Sequence, residues 1–561
     1  MFVIEASGVS FRDVGEGIDL FSKVYEHVLY DYVKDIDPDE LSKNAVAGIM
    51  ENLDPYSSFL PPMNYTQLNE DAEGEFGGLG IEIATVKEYP RVMSYPIPGS
   101  PAENVRLRAG DEIVTINGES TRNMTINDVV SRLRGKIGTS VTIEVKRGNR
   151  EDLLKFEIKR DRISLKNITY AGEIVEGIGY IQLVRFNKEA SHELEDALNK
   201  VSAIENLKGV VLDIRGNPGG LLTAAQQVAD KFLMRNDLIV FTRGREDSPR
   251  SELQSRNAPS LHPNIPLVVL VDRRSASASE IVAGAIQDHD RGVLVGETSF
   301  GKGSVQTVFS DLPGNAGMKL TTAHYYTPSG RCIHNERNQD MDYIALTMGE
   351  DGISTDENDT ADSTAVRDKF YTLEKERVVY GGGGVTPDII IKEKLLGNIV
   401  IQLLSQSILM DFTVDYIADH TEITEDFTIT DEIIEALKAY ISDEEVFTYS
   451  IPGKSDLDDF RKIVERENYN GDISALIDNL EETLMQNRDK DFEANIDTIK
   501  RYLKRDIASA QFGIEARTTA SKDYDVQLQK GIEILNDTEK YHAILSDGAE
   551  TGVVEELASG R

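Results

Sequence analysis

At 561 residues the chain exceeds one ordinary domain, and about three to four domains are expected from length alone. An apolar share of 40% can fill real cores, while a formal charge of −37 argues against nucleic acid and anionic membrane surfaces as partners. Cys332 is the single cysteine, which rules out an intrachain disulfide, and no window reaches the roughly eighteen apolar residues of a membrane span.

The start, Met1-Phe-Val-Ile-Glu-Ala-Ser-Gly8, has no basic region ahead of its few apolar residues and is not an intact signal peptide; an export signal would have to lie outside this chain. From Ile18 to about Leu60 the apolar spacing predicts helices, with Leu20, Phe21, Val24, Val28, Leu29 and Tyr32 on one face, closed by the turn Asp54-Pro-Tyr-Ser-Ser58. Residues 1–74 are read as an N-terminal helical module. From 75 to 162 short strands and glycine turns take over: Phe76-Gly-Gly-Leu-Gly-Ile-Glu-Ile83, then Glu112 to Asn117, a short helix on Ile126, Val129, Val130 and Leu133, and the period-two runs Val141 to Val145 and Leu154 to Ile158.

Between Tyr180 and Val308 strands and helices alternate. Tyr180 to Val184, Gly209 to Ile214, Leu238 to Thr242, Leu267 to Val271 and Val293 to Val295 predict the strands of a mostly parallel sheet, with ligands beyond their carboxyl ends. The core region is taken as 163–395. Within it, about 336–378 is polar and strongly acidic and reads as a solvated insertion. A helical extension is expected over 396–540, and 541–561 reads as a flexible tail.

Two residues just past strand ends draw attention. Ser277 opens Ser277-Ala-Ser-Glu280, an S-x-x-E capping box that on its own makes the serine a helix cap. The same position gives a hydroxyl the backbone N–H groups and positive dipole end of a helix, so cap and nucleophile are compatible. Lys302, in Gly296-x-x-x-x-Gly301-Lys302, nearly spells a phosphate-binding loop, but Gly303 stands where a magnesium-ligating Ser/Thr is needed and a β-branched run follows instead of a helix. A lysine buried beside Phe300 loses affinity for its proton and can act as a base. In an extended segment Lys302, Ser304 and Gln306 share a face, so Gln306 could hold the amine. The glycine turn of Asp213-Ile-Arg-Gly-Asn-Pro-Gly-Gly220 can aim the Gly219 or Gly220 N–H at an oxyanion, with the Ala278 N–H as second donor. Histidine-based catalysis finds little support, since His289 is carried more than three helical turns from Ser277, and no metal motif is present.

Taken together, Ser275-Ala-Ser-Ala-Ser-Glu280, Gly301-Lys-Gly303 with Gln306, Asp213 to Gly220, Tyr325 to Arg331 and Gly381-Gly-Gly-Gly-Val-Thr-Pro-Asp388 resemble the carboxyl-terminal processing (tail-specific) serine peptidases over about residues 18–392. The resemblance implies an α/β crotonase/ClpP-like catalytic core with an inserted PDZ β-barrel domain. It makes Ser277 the nucleophile, Lys302 the general base, Gln306 its orienting residue, and Gly219 with Ala278 the oxyanion donors. It also makes Gly77, Gly78, Leu79 and Gly80 a carboxylate-binding loop, beside which a peptide end adds as a strand. By the same resemblance the enzyme needs no cofactor or metal, takes partly unfolded proteins with nonpolar C-termini, is periplasmic or otherwise exported, and admits a homo-oligomer or an adaptor protein as partner. The alternative is a non-catalytic PDZ scaffold or hydrophobic-ligand binder on the same core.

Overall fold

The computed structural model describes residues 11–86, 88–148, 152–245, 251–335, 368–392, 396–420, 422–443, 446–450, 453–467, 471–485, 487–546, 548 and 551–554. A seven-stranded sheet forms the centre, in the order Ile168–Val175, Ile178–Leu183, Gly209–Asp213, Leu267–Val271, Val293–Gly296, Ile389–Ile390 and Val553–Val554. Only the first pair is antiparallel. Gly209–Asp213 and Leu267–Val271 are buried at every residue, which is why they read as unbroken apolar runs: a parallel sheet is covered on both faces.

Helices Ala190–Ser202, Leu222–Ala229 and Ala278–Asp288 contribute Leu194, Leu198, Val228, Ile281 and Val282 to the core on one face. The opposite face is covered from far along the chain. Leu528, Ile532, Leu535 and Tyr541, from helices Val526–Asn536 and Thr538–Ile544, pack on Val211, Val268 and Leu270. A side chain at Gly531 would begin 3.2 Å from Val268, so a small residue lets the helix lie close to the sheet.

Four expectations are corrected here. Leu238–Gly244 does not join the parallel sheet; it pairs antiparallel with Gly317–Tyr326, which also carries Ser58–Leu60 and Ser304–Phe309. The stacking of Phe241 on Tyr326, centroids 5.1 Å apart, favours that partner, and a short apolar run does not encode its sheet. Secondly, the stretch from 541 is no free tail, because Val553–Val554 pairs with Ile389–Ile390 and Thr551 Oγ1 donates to the Val378 carbonyl at 2.6 Å. Thirdly, the end of the expected insertion is built into the core. Lys369–Tyr371 pairs with Val378–Tyr380, and fully buried Arg377 reaches Asp290 and Asp388, both at 2.6 Å; the acidic tract at 350–362 lies outside the described residues. Lastly, the N-terminal module is not purely helical. Between helices Pro38–Met50 and Pro62–Glu73, Ser58–Leu60 runs along the core's second sheet.

The segment after Pro62–Glu73 enters a two-stranded ribbon, Glu75–Gly78 with Asp161–Ser164. Between its strands lies a six-stranded sheet whose edge strand is Ile83–Val86. Its core joins Val92, Leu107, Ile113, Ile116, Ile143, Val145 and Ile158 to Val129 and Leu133 of helix Ile126–Leu133. That helix starts at a reciprocal capping box, in which the Thr125 hydroxyl accepts from the Asp128 amide and Asp128 accepts from the Thr125 amide. A separate core of Ile399, Leu403, Phe412, Leu437, Leu503 and Ile507 holds the later helices together. Arg91 in the inserted sheet ties the two units, bonded to Asp411 of helix Ile408–Asp419 at 2.8 Å and to Glu112 at 2.7 Å. Among the described residues no helix is long and apolar enough to cross a membrane.

Candidate active site

The site is built where three strand ends meet. Gly209–Asp213 leads into the turn at 214–220, held by Asn217, whose Nδ2 donates to the Leu183 carbonyl at 2.8 Å and whose carbonyl accepts from the Ala276 amide and the Ser279 hydroxyl. Leu267–Val271 leads to Ser277, and Val293–Gly296 leads to Lys302. Ser277 has φ 55° and ψ −111°, in the positive-φ half of the map that non-glycine residues avoid. Such strain costs about 1–3 kcal/mol and is held only where surrounding bonds over-determine the backbone.

Those bonds converge on Glu280, which is fully buried. Its Oε2 accepts from the Ser277 amide and the Lys302 amide, each at 2.8 Å, and its Oε1 accepts from the Gly301 amide at 2.7 Å and the Ser299 hydroxyl at 2.6 Å. The backbone nitrogens of Ser277 and Lys302 therefore lie closer together than twice one hydrogen-bond length. Burial pushes the Glu280 carboxyl up, against the pull of its donors. The sequence marked this glutamate only as half of a capping box; its reach to residue 302 is tertiary.

Lys302 is 8% exposed and Ser277 9%. Burial, and then the like charge of Lys319, bring the Lys302 amine down to about 7, while Glu280 opposes them. An amine so lowered is half neutral near pH 7 and can accept a proton. Tyr325, on Gly317–Tyr326, lies beside Ser277, which acts to lower its phenol, while burial outweighs that and pushes it up to about 12. Gln306 falls within Ser304–Phe309, where the ladder is irregular between Val305 and Gln306. Its Nε2 donates to Ser304 Oγ at 2.8 Å and Thr321 Oγ1 at 3.3 Å.

Gly219 has φ +98°, and a Cβ there would fall 2.8 Å from both Ser277 Cβ and the Ala278 nitrogen, so the glycine turn is pressed against the serine. The Gly219 amide itself donates to Asn217 Oδ1 at 2.9 Å. In the inserted domain Gly77 and Gly78 are strand residues, paired opposite Arg162 and Asp161, rather than members of an open loop. A Cβ at Gly77 would lie 2.1 Å from the Gly135 carbonyl oxygen, which explains that glycine by close packing. Leu79 and Gly80 then lead to the open edge of Ile83–Val86, which pairs only with Tyr89–Val92 among the described residues and adjoins helix Ile126–Leu133.

Comparison with known proteins agrees with this layout. The model of Peptidase family S41 matches residues 177–343, that of a PDZ domain matches 92–147, and that of the C-terminal helical domain of probable PDZ-proteases matches 399–535. A carboxy-terminal-processing protease of Bartonella bacilliformis is 40% identical over 317 residues, 56% of this chain and 71% of the relative. A carboxy-terminal processing protease of Bacillus subtilis is 32% identical over 334 residues, 59% of this chain and 68% of that one. Among solved structures, a photosystem II D1 C-terminal processing protease is 31% identical, with 56% of this chain and 83% of that one covered and a TM-score of 0.35. The chain thus belongs to the carboxy-terminal-processing proteases of peptidase family S41, with a PDZ domain set ahead of its serine-peptidase core.

Proposed function

We propose that the protein is a serine endopeptidase that captures protein C-termini in its PDZ domain and cleaves partly unfolded chains through an acyl-enzyme on Ser277. The observation that carries this reading is the shared Glu280 oxygen, which brings the backbones of Ser277 and Lys302 together while burial prepares the lysine as a base. Neutral Lys302 takes the Ser277 hydroxyl proton as Oγ bonds to the scissile carbonyl carbon. The resulting ammonium returns that proton to the leaving amine as the C–N bond breaks. A water then attacks the ester, losing its proton to Lys302, and the product acid leaves as Ser277 is reprotonated. The developing oxyanion is met by the Ala278 N–H at the helix start and by a glycine-turn N–H, either Gly220 or Gly219 once released from Asn217. With Nε2 of Gln306 engaged on Ser304 and Thr321, its Oε1 is the atom free to accept from the Lys302 amine.

In the PDZ domain the segment Gly77-Gly-Leu-Gly80 receives the terminal carboxylate at its end, where Leu79 and Gly80 leave the paired strand, and the preceding substrate residues add along Ile81 to Ile83. Disordered casein, incubated with and without EDTA, tests the chemistry. Ser277→Ala and Lys302→Ala should each lower cleavage by about a thousandfold or more while folding is kept, and EDTA should change nothing. Cleavage retained by either purified variant overturns the mechanism.

A further inference from the structure

Lys302 owes its lowered affinity for protons first to burial, so what excludes water from it is a functional question. Part of that cover comes from outside the region matched to the peptidase family, from the turn Asp54-Pro-Tyr-Ser57. The Tyr56 ring is 5% exposed and packs in one cluster with Ala276, next to the serine, and Phe300, two residues before the lysine. Its centroid lies 5.1 Å from Lys302 Nζ.

The turn is fixed rather than merely adjacent. Asp54 Oδ1 accepts from the Tyr56 and Ser57 amides at 2.8 and 2.9 Å, and Oδ2 accepts from the Ser57 hydroxyl at 2.7 Å. Two further bonds fasten it to the strand beneath. The Thr321 amide donates to Ser57 Oγ at 3.0 Å, and the Thr321 hydroxyl donates to Asp54 Oδ1 at 3.1 Å. Thr321 in turn accepts from Gln306. Burial alone would push Asp54 up; its donors outweigh that and hold it below the ordinary carboxylate value.

We propose that Tyr56 is a positioning residue of the active site, whose ring seals the Lys302 amine from water and makes the turn at 54–57 part of the catalytic machinery. This rests on Lys302 being the base. The groups around the amine set the sign of the effect. Lys319 repels its charged form and Glu280 attracts it. Tyr56, with burial pushing its phenol up to about 12, stays neutral, as does Tyr325. An aromatic face attracts an ammonium, which acts against the fall, but burial is the largest cause acting on Lys302. Opening the site to water therefore moves the amine back towards an ordinary lysine.

The test is the pH dependence of kcat/KM for the full chain on a quenched peptide substrate. In the parent and in Tyr56→Phe, the activity should rise with pH through a limb near 7. In Tyr56→Ala the limb should move up by about one pH unit or more, giving roughly fivefold or more less activity at pH 7 that is recovered towards pH 9. A limb that stays in place, or a loss that is equal at every pH, overturns the proposal. If Tyr56→Ala does not fold, Ser57→Ala carries the test: loosening the turn should shift the limb the same way by a smaller amount, and an unshifted limb is the refuting result. Lys302→Ala runs alongside. Activity in that variant would refute the lysine as base, whereas an inactive Lys302→Ala with an unmoved limb in Tyr56→Ala refutes the role of Tyr56 alone.

Discussion

Lys302 costs the fold something for the chemistry it offers. Free in water it holds its proton to near 10.5, and in the folded chain only to about 7. Below pH 7 the native state carries a buried ammonium that the unfolded state solvates. Between 7 and 10.5 the native state has released a proton that the unfolded chain keeps, so stability rises with pH across that window. Lys302→Met is therefore expected to unfold at higher urea than the parent at pH 6, by on the order of 4 kcal/mol, with the gap narrowing by pH 9. Urea melts at the two pH values check it, and a constant gap would contradict the buried charge. At this scale the sequence drew attention to Ser277 and Lys302, because a serine opening a helix and a lysine in a failed phosphate loop are local patterns, while their proposed roles came from the family resemblance. It was silent on Tyr56 and on the wider role of Glu280, since contacts spanning 19 residues or more leave no periodic trace.

At the scale of elements, the glycine-rich entry to the PDZ domain and its exposed edge argue for recognition through backbone. In the proposed capture mode an added strand would gain main-chain hydrogen bonds along Ile81 to Ile83, and its terminal carboxylate would hold N–H donors more strongly than a neutral amide could. A peptide with a nonpolar, free C-terminus should thus bind the full-length Ser277→Ala protein about tenfold or more tightly than its amidated twin, as read by fluorescence anisotropy; equal affinities would count against the Gly77 to Gly80 assignment. Elements with a clear period, such as Ser140–Lys146 and Ile126–Leu133, were legible from residues alone. The Leu238–Gly244 strand was legible as a strand and not as a member of the antiparallel sheet. Helix Val526–Asn536 was legible as a helix but not as the second cover of the catalytic sheet, because an amphipathic face states that it will be buried without naming the surface that buries it.

Across the whole molecule, the join between PDZ domain and helical domain runs through Arg91. Its side chain is 8% exposed, and both its acidic partners are partly shielded, so salt screens the contact less than a surface pair. Asp411→Ala leaves Arg91 with Glu112 alone and should loosen the helical domain from the PDZ domain by about 1–3 kcal/mol. Hydrogen exchange would then quicken around Tyr89–Val92 and Ile408–Asp419 while the catalytic sheet stays protected, and unchanged exchange at both would argue against the link.

On the proposed mechanism, the turn at 54–57 also ties the enzyme's competence to the assembly of its second sheet. Asp54 and Thr321 are 267 residues apart, and the contacts that wall in Lys302 join parts of the chain that meet only once the second sheet is assembled. Until then residue 302 is an ordinary, protonated lysine at neutral pH. On the proposed mechanism, a newly made or partly unfolded copy would carry the serine without its base, so proteolytic power would wait on the assembly of that sheet.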